Sequence, residues 1–517
     1  MTAHSDSKAN PLRIPNLIGL ALLALLVLAP LVVDLHGTGP EAEAIDLAAE
    51  PFGEAAAPMD VAGEASHDDH GGHADHGVPS LWQVGTIPFV LLLLAVAILP
   101  LLRSTMHWWE SNTNRLAVSL GLAFVTLAFY CIADSPIGAL LAVEHAIPGE
   151  YVPFIMLLFS LYVISGGISI TGDLKATPTV NASFILVGTL IASFIGTTGA
   201  SMLLIRPLLE TNKERKHRVH TVVFFIFLVS NIGGTLLPIG DPPLFLGYLK
   251  GVPFTWTMVL WKEWAFLGII LITVYWIWDR IMFSRETPMD LKRDETQRRP
   301  LRLRGSVNLL LLVCVVFAVA LLDPSKPLPG TEWRAFPFMR ELVMLALTGA
   351  SLALTPSGVR AANRFNYHAI AEVAALFVGI FITMQVPLAV LKAYGADLGL
   401  ETSGQFYWLT GILSSFLDNA PTYLVFFQTA ESLPVEDGAK MLPLGGGGSI
   451  RQDLLIGISL GAVFMGANTY IGNGPNFMVK SIAEQEGVRM PSFFGYMIYS
   501  CLVLVPCFVA VHLLFLP

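Results

Sequence analysis

The sequence predicts an all-α integral membrane protein. It reads as two inverted repeats, each with a re-entrant helical hairpin and a broken transmembrane helix, giving about 11 transmembrane helices in all. Three observations carry this reading. Of 517 residues, 54% are hydrophobic and 13% charged, whereas a soluble globular protein carries roughly 25% charged residues. Two apolar stretches are interrupted by matching segments rich in Gly and Pro. Lys and Arg gather in alternate loops.

About 20 apolar residues cross the hydrocarbon. That length places spans near 14–33, 82–102, 116–133, 152–171, 221–246, 256–278, 306–322, 340–355, 368–387, 454–480 and 493–515. Stretches 181–209 and 405–431 each contain a polar interruption and read as hairpins that return to the side they left. Within 221–246 and 454–480, Ile239-Gly240-Asp241-Pro242-Pro243-Leu244-Phe245 aligns with Ile471-Gly472-Asn473-Gly474-Pro475-Asn476-Phe477. Backbone freed by such a break cannot face lipid and must be buried in protein or line a wet cavity. Paired breaks at matching places in two halves point to a transporter's binding site.

The charges give the orientation. With the N-terminus cytoplasmic and both hairpins re-entrant, the inner segments hold Lys8, Arg13, Arg103, Arg115, Lys175, the basic cluster 213–218 and the basic run 280–304. Arg360, Arg364, Lys480 and Arg489 also fall inside. Only Lys250, Lys326, Arg334, Arg340, Lys392, Lys440 and Arg451 fall outside, which satisfies the positive-inside rule and puts the C-terminus outside. The chain then divides into residues 1–80, an N-terminal helix or signal plus an acidic His-rich external loop; 81–280, the first repeat; 281–305, a basic cytoplasmic linker; and 306–517, the second repeat.

The first span also fits a signal peptide, but no clear small-x-small cleavage site follows it, so a retained helix is the expectation. The external loop carries His67, His70, His73 and His76 among carboxylates. Such a tract can bind zinc, copper or nickel; its plainer reading is a solvated linker with weak metal affinity. The four cysteines lie in apolar segments with no CxxC pair or disulfide framework. No nucleic-acid signature, P-loop or HExxH is present. Gly457-Ile458-Ser459-Leu460-Gly461 fits the hydrolase G-x-S-x-G pattern, but it lies in an apolar helix with no strand before it and reads as small-residue packing.

The polar residues at membrane depth are the candidate site. The breaks supply Ser230, Asn231, Thr235 and Asp241, then Asn468, Thr469, Asn473 and Asn476; the hairpin tips add Thr197, Thr198, Ser201, Asp418, Asn419 and Thr422. All are hard oxygen donors suited to a small cation. Taken singly, such groups often only hydrogen-bond a neighbouring helix. Asp418 draws the most weight, because a carboxylate at membrane depth is costly and can hold a proton or a cation in turn. Asp241 follows the same logic, or instead caps the half-helix starting at Pro242. Glu372 reads as a helix-end residue or a proton relay, and Arg206 as a side chain reaching the inner interface.

Residues 230–254 (SNIGGTLLPIGDPPLFLGYLKGVPF), the hairpin LDNAPTY and the run 472–493 (GNGPNFMVKSIAEQEGVRMPSF) resemble bacterial D-type sodium/proton antiporters and related citrate transporters. These belong to the ion-transporter superfamily, with arsenite permeases and dicarboxylate/sodium symporters. The resemblance covers residues 82–517. It implies inverted repeats, a homodimer in the bacterial inner membrane and elevator-like movement. It also implies cation sites built from Thr197, Thr198, Asn231, Asp418, Asn419 and Asn468. The Ser-Asn-Thr tips of the dicarboxylate branch are absent. The two deepest charges are acidic, and a multivalent anion would be repelled by an unpaired buried carboxylate. The expectation is therefore sodium/proton exchange, with no cofactor beyond the transported sodium and proton. The alternative is a coupled carrier of citrate, dicarboxylate or arsenite. A membrane enzyme comes third, for want of a clustered catalytic set.

Overall fold

Helices dominate, in the same order in both halves of the chain. The computed structural model describes residues 78–516, apart from 103, 290–293, 295–298, 325, 329, 435–437 and 446. The span expected at 14–33, the four tract histidines and part of the basic linker lie outside the described residues. Among the described residues, six helices are long and apolar enough to cross a membrane, or seven if the bent pair His368–Thr383 and Gln385–Leu398 is one span. The sequence reading of about 11 exceeds this because the span at 14–33 lies outside the described residues and several other crossing candidates are short or broken. Trp82–Ile98, Val307–Leu321 and Gln452–Asn468 are shorter apolar helices.

Each half runs through two helices, a long third helix, a hairpin, a broken helix and a closing helix. The first half has Asn112–Ala133, Pro136–Ser165, the hairpin Pro178–Ile195 with Thr197–Thr211, and a closing span Trp256–Phe283. The second has Met339–Leu354, the bent pair, the hairpin Ser403–Phe416 with Asn419–Glu431, and Phe493–Phe515. Both hairpins turn within one to two residues. The first turns at Gly196, whose φ of 77° suits a residue without Cβ.

The third helix differs from expectation at both ends. It begins at Pro136, where the Ser135 hydroxyl accepts from the Gly138 N–H at 3.0 Å, and it absorbs Pro148 in a π-helical turn, His145–Tyr151. It stops at Ser165 instead of running to 171, because Ser169–Asp173 is a strand. That strand pairs antiparallel with Arg299–Arg304, inside the segment expected to be a plain linker.

Glycines set the closest helix contacts. A Cβ on Gly457 would meet the Ser403 carbonyl and one on Gly461 the Tyr407 carbonyl, so helix Gln452–Met465 lies directly on Ser403–Phe416. The Gly-x-Ser-x-Gly pattern is thus accounted for by packing. The cysteines are all free, with Cys131 and Cys501 exposed and Cys314 and Cys507 half-buried.

Candidate functional site

Both breaks are built alike. After Val219–Leu228 the chain takes two short 3-10 turns before Pro242–Leu249 begins. After Gln452–Met465 it takes one, before Gly474–Gln485. In each, a glycine leans on an earlier one: a Cβ on Gly240 would strike the Gly234 carbonyl, and one on Gly472 the Gly466 carbonyl. Each break is also tied to the first arm of its own hairpin by a serine. Ser193 Oγ donates to the Gly233 carbonyl at 2.6 Å and accepts from the Leu236 N–H at 3.0 Å. Ser415 Oγ donates to the Met465 carbonyl at 3.1 Å and accepts from Asn468 Nδ2 at 2.9 Å. These serines escaped the sequence reading. Their signal is the matched spacing Ser193-Phe194-Ile195-Gly196-Thr197 and Ser415-Phe416-Leu417-Asp418-Asn419.

Asp241 lies at the centre, 1% exposed. Its Oδ1 accepts from Thr197 Oγ1 at 3.0 Å and from Asn473 Nδ2 at 2.9 Å. Its Oδ2 accepts from Asn419 Nδ2 at 2.7 Å. Thr197 and Asn419 open the second arms of the two hairpins, while Asp241 and Asn473 precede the second halves of the two broken helices. Four helix N-termini therefore meet within one hydrogen bond of a single carboxylate. Each N-terminus carries partial positive charge from unpaired N–H groups, so the cluster attracts anions. Asp241 holds the cap position of its helix, yet its side chain makes no capping bond.

A second layer of amides holds these groups. Asn231 Oδ1 accepts from Asn473 Nδ2 at 3.2 Å, and its Nδ2 donates to Asn476 Oδ1 at 2.7 Å and to the Ile226 carbonyl at 2.8 Å. Asn476 Nδ2 donates to the Gly466 and Thr469 carbonyls, each at 2.9 Å. Ser201 Oγ and Ser230 Oγ lie 2.8 Å apart. Two buried acceptors, Asn419 Oδ1 and Asn468 Oδ1, have no hydrogen-bond partner among the described residues. Buried polar atoms rarely stay unpaired, so these two oxygens are the acceptors left over by the cluster's own hydrogen bonds.

The remaining candidates sit beside this cluster. Asp418 is half-buried and caps Asn419–Glu431, its Oδ1 accepting from the Ala420 N–H at 3.0 Å. Thr422 Oγ1 donates to the Asp418 carbonyl at 2.9 Å. Thr198, half-buried, makes none of these bonds. Glu372 is paired with Arg115 at 2.9 Å and Arg206 with Glu486 at 3.1 Å, so both are in ion pairs away from the centre. Among the described residues, no Lys, Arg or His pairs with Asp241 or Asp418.

A family model described as putative citrate transport matches residues 78–516. The chain belongs to that family. No curated protein matches it. Family and apolar helices together make this a multi-pass membrane protein with a transport role.

Proposed function

We propose that the protein is a cation-coupled secondary carrier of citrate or a related small carboxylate. The observation that carries this is the Asp241 carboxylate, hydrogen-bonded from both halves of the chain where four helices begin. A sodium ion or proton on Asp241 cancels the buried charge, with the free oxygen of Asn419 as a further ligand. Once that charge is cancelled, the four N-termini are left to receive a substrate carboxylate, as half-helix ends do in carriers with broken helices. Repulsion between substrate and empty site thus becomes the coupling: the anion binds well only after the cation. The family's description supports the same substrate class.

The matched order of elements supports reading the halves as inverted, with about 11 crossings and the C-terminus outside. A homodimer in the bacterial inner membrane follows the same resemblance. A second reading, sodium/proton exchange, is favoured by one observation: the site's ionisable side chains are Asp241 and Asp418, with no basic partner among the described residues.

Purified protein in vesicles separates the two. Labelled citrate should accumulate when a sodium or proton gradient is imposed and stay out when it is not. Sodium-driven proton movement without citrate, read by a pH dye, would establish exchange instead. Neither flux would overturn both readings.

A further inference from the structure

The two-stranded ribbon has no part in the site just described. Its register sets Ser169 opposite Arg304, Ile170 opposite Leu303 and Thr171 opposite Arg302. It is seated on the ends of two apolar helices, since Pro136–Ser165 stops just before it and Val307–Leu321 starts just after it. Asn308 Nδ2 fastens the junction by donating to the Gly167 carbonyl at 2.9 Å and the Gly305 carbonyl at 3.1 Å. Extended chain advances about 3.3 Å per residue, so Arg302 and Arg304 lie within about 17 Å of the first residue of that helix. The headgroup layer is roughly 5–8 Å deep on each side, within reach of an arginine side chain.

Residues 301–304 are all exposed, Leu301 at 44% and Leu303 at 48%. Strand alternation sets the two leucines on one face and Arg302 and Arg304 on the other. Neither arginine makes an ion pair among the described residues. The acids nearby are turned inward. Asp279 takes Arg215 at 2.6 Å and His220 at 2.8 Å. Glu286 accepts from the Lys216 and His217 N–H groups, and Asp294 from the Ala176 N–H. Among the described residues, what the ribbon leaves outside, at a bilayer edge, is exposed leucine and unpaired guanidinium. Leucine suits the glycerol and acyl boundary, and guanidinium binds phosphate oxygens in bidentate fashion.

We propose that this Leu/Arg ribbon is a docking surface for the headgroups of anionic phospholipids. A basic side chain next to the membrane contributes about fivefold to anionic lipid binding, so two contribute about thirtyfold.

The test is native mass spectrometry of the full chain in detergent, titrated with phosphatidylglycerol or phosphatidylcholine. The expected result is tighter, salt-sensitive binding of phosphatidylglycerol. In the double variant Arg302→Gln, Arg304→Gln that affinity should fall about thirtyfold while phosphatidylcholine binding is unchanged. The charge-keeping variant Arg302→Lys, Arg304→Lys should stay within a few-fold of the parent. Unaltered phosphatidylglycerol affinity in the glutamine variant overturns the proposal, and so does an equal loss for both lipids. If the double variant does not fold, the single variants decide, each expected to lose about fivefold.

Discussion

Replacing Asp241 by Asn changes one atom's chemistry at the most connected point of the site. The carboxylate accepts three side-chain hydrogen bonds, from Thr197, Asn419 and Asn473. A carboxamide has one acceptor oxygen, so one of the two asparagine amides meets an NH2 group instead. One buried donor left unpaired costs about 1–3 kcal/mol. Removing a buried charge works the other way, since its desolvation costs several kcal/mol. The two effects oppose, and the melting temperature should move by less than about 5 °C. Cation binding has no such compensation. A charge about 2.4 Å away through an effective dielectric of about 20 amounts to about 7 kcal/mol. If rehydration of the cation and the remaining amide oxygen recover half of that, about 3 kcal/mol is lost, over a hundredfold in affinity. The assay is the sodium or proton dependence of citrate uptake in vesicles, beside thermal unfolding in detergent. Asp418→Asn is the matched control. Asn caps a helix as well as Asp does, so the Ala420 bond survives and the fold is unchanged. A normal cation dependence in Asp241→Asn, or its loss in Asp418→Asn alone, refutes the assignment of the coupling charge to Asp241.

Gly240→Ala and Gly472→Ala should each destabilise by about 1–3 kcal/mol, because the new methyl collides with a carbonyl, whereas Gly474→Ala, with open space around it, should be neutral in the same unfolding assay. Deleting residues 65–77 should leave transport by correctly inserted protein intact, with loss of uptake as the contrary result. Cysteines placed at Lys213 and Gly445 should react differently with an impermeant thiol reagent, the second labelling from outside and the first not. Burial, aided by Glu214, pushes the Asp173 carboxyl up to about 6 from 3.8. The folded chain therefore holds a proton that the unfolded chain releases, and stability falls as pH rises from about 4 to about 6. Asp173→Asn should remove that slope, raising the melting temperature at pH 7.5 relative to the parent and not at pH 4.

Much of this site could be read from the chain. The breaks announced themselves through Gly and Pro, and Asp241 and Asn473 fell on matching positions. Thr197 and Asn419 were found because polar residues at a hairpin tip are conspicuous among Phe and Leu. Which of the two acids sits at the centre of the cluster is not legible in the sequence. Asp241 and Asp418 each stand just before a helix, and local sequence cannot tell which one caps it. What separates them is Asn419, 178 residues from Asp241 along the chain, and only the assembled fold brings those two together. The helix from Pro136 was hidden by Pro148 and Gly149, which read as a stop and are accommodated by a π turn. The ribbon is easily missed because the strand-like alternation of Leu301 and Leu303 with Arg302 and Arg304 lasts only four residues, inside a basic run that reads as a linker.

Unlike residues at matched places decide the site's electrical balance. Asp241 and Asn473 occupy equivalent places in the two halves and touch at 2.9 Å. If both places held an acid, two like charges would share one buried space, and one would have to stay protonated. With an amide at Asn473, the Asp241 carboxylate faces a neutral neighbour, and one monovalent cation cancels its charge. In the cation-coupled cycle proposed above, a centre that crosses the membrane empty carries the Asp241 charge, and a loaded one carries only what the substrate adds. Each such charge is worth about 2.3 kcal/mol per 100 mV of membrane potential. In that cycle the amide at Asn473, where the matching place holds Asp241, sets how strongly voltage drives the return step.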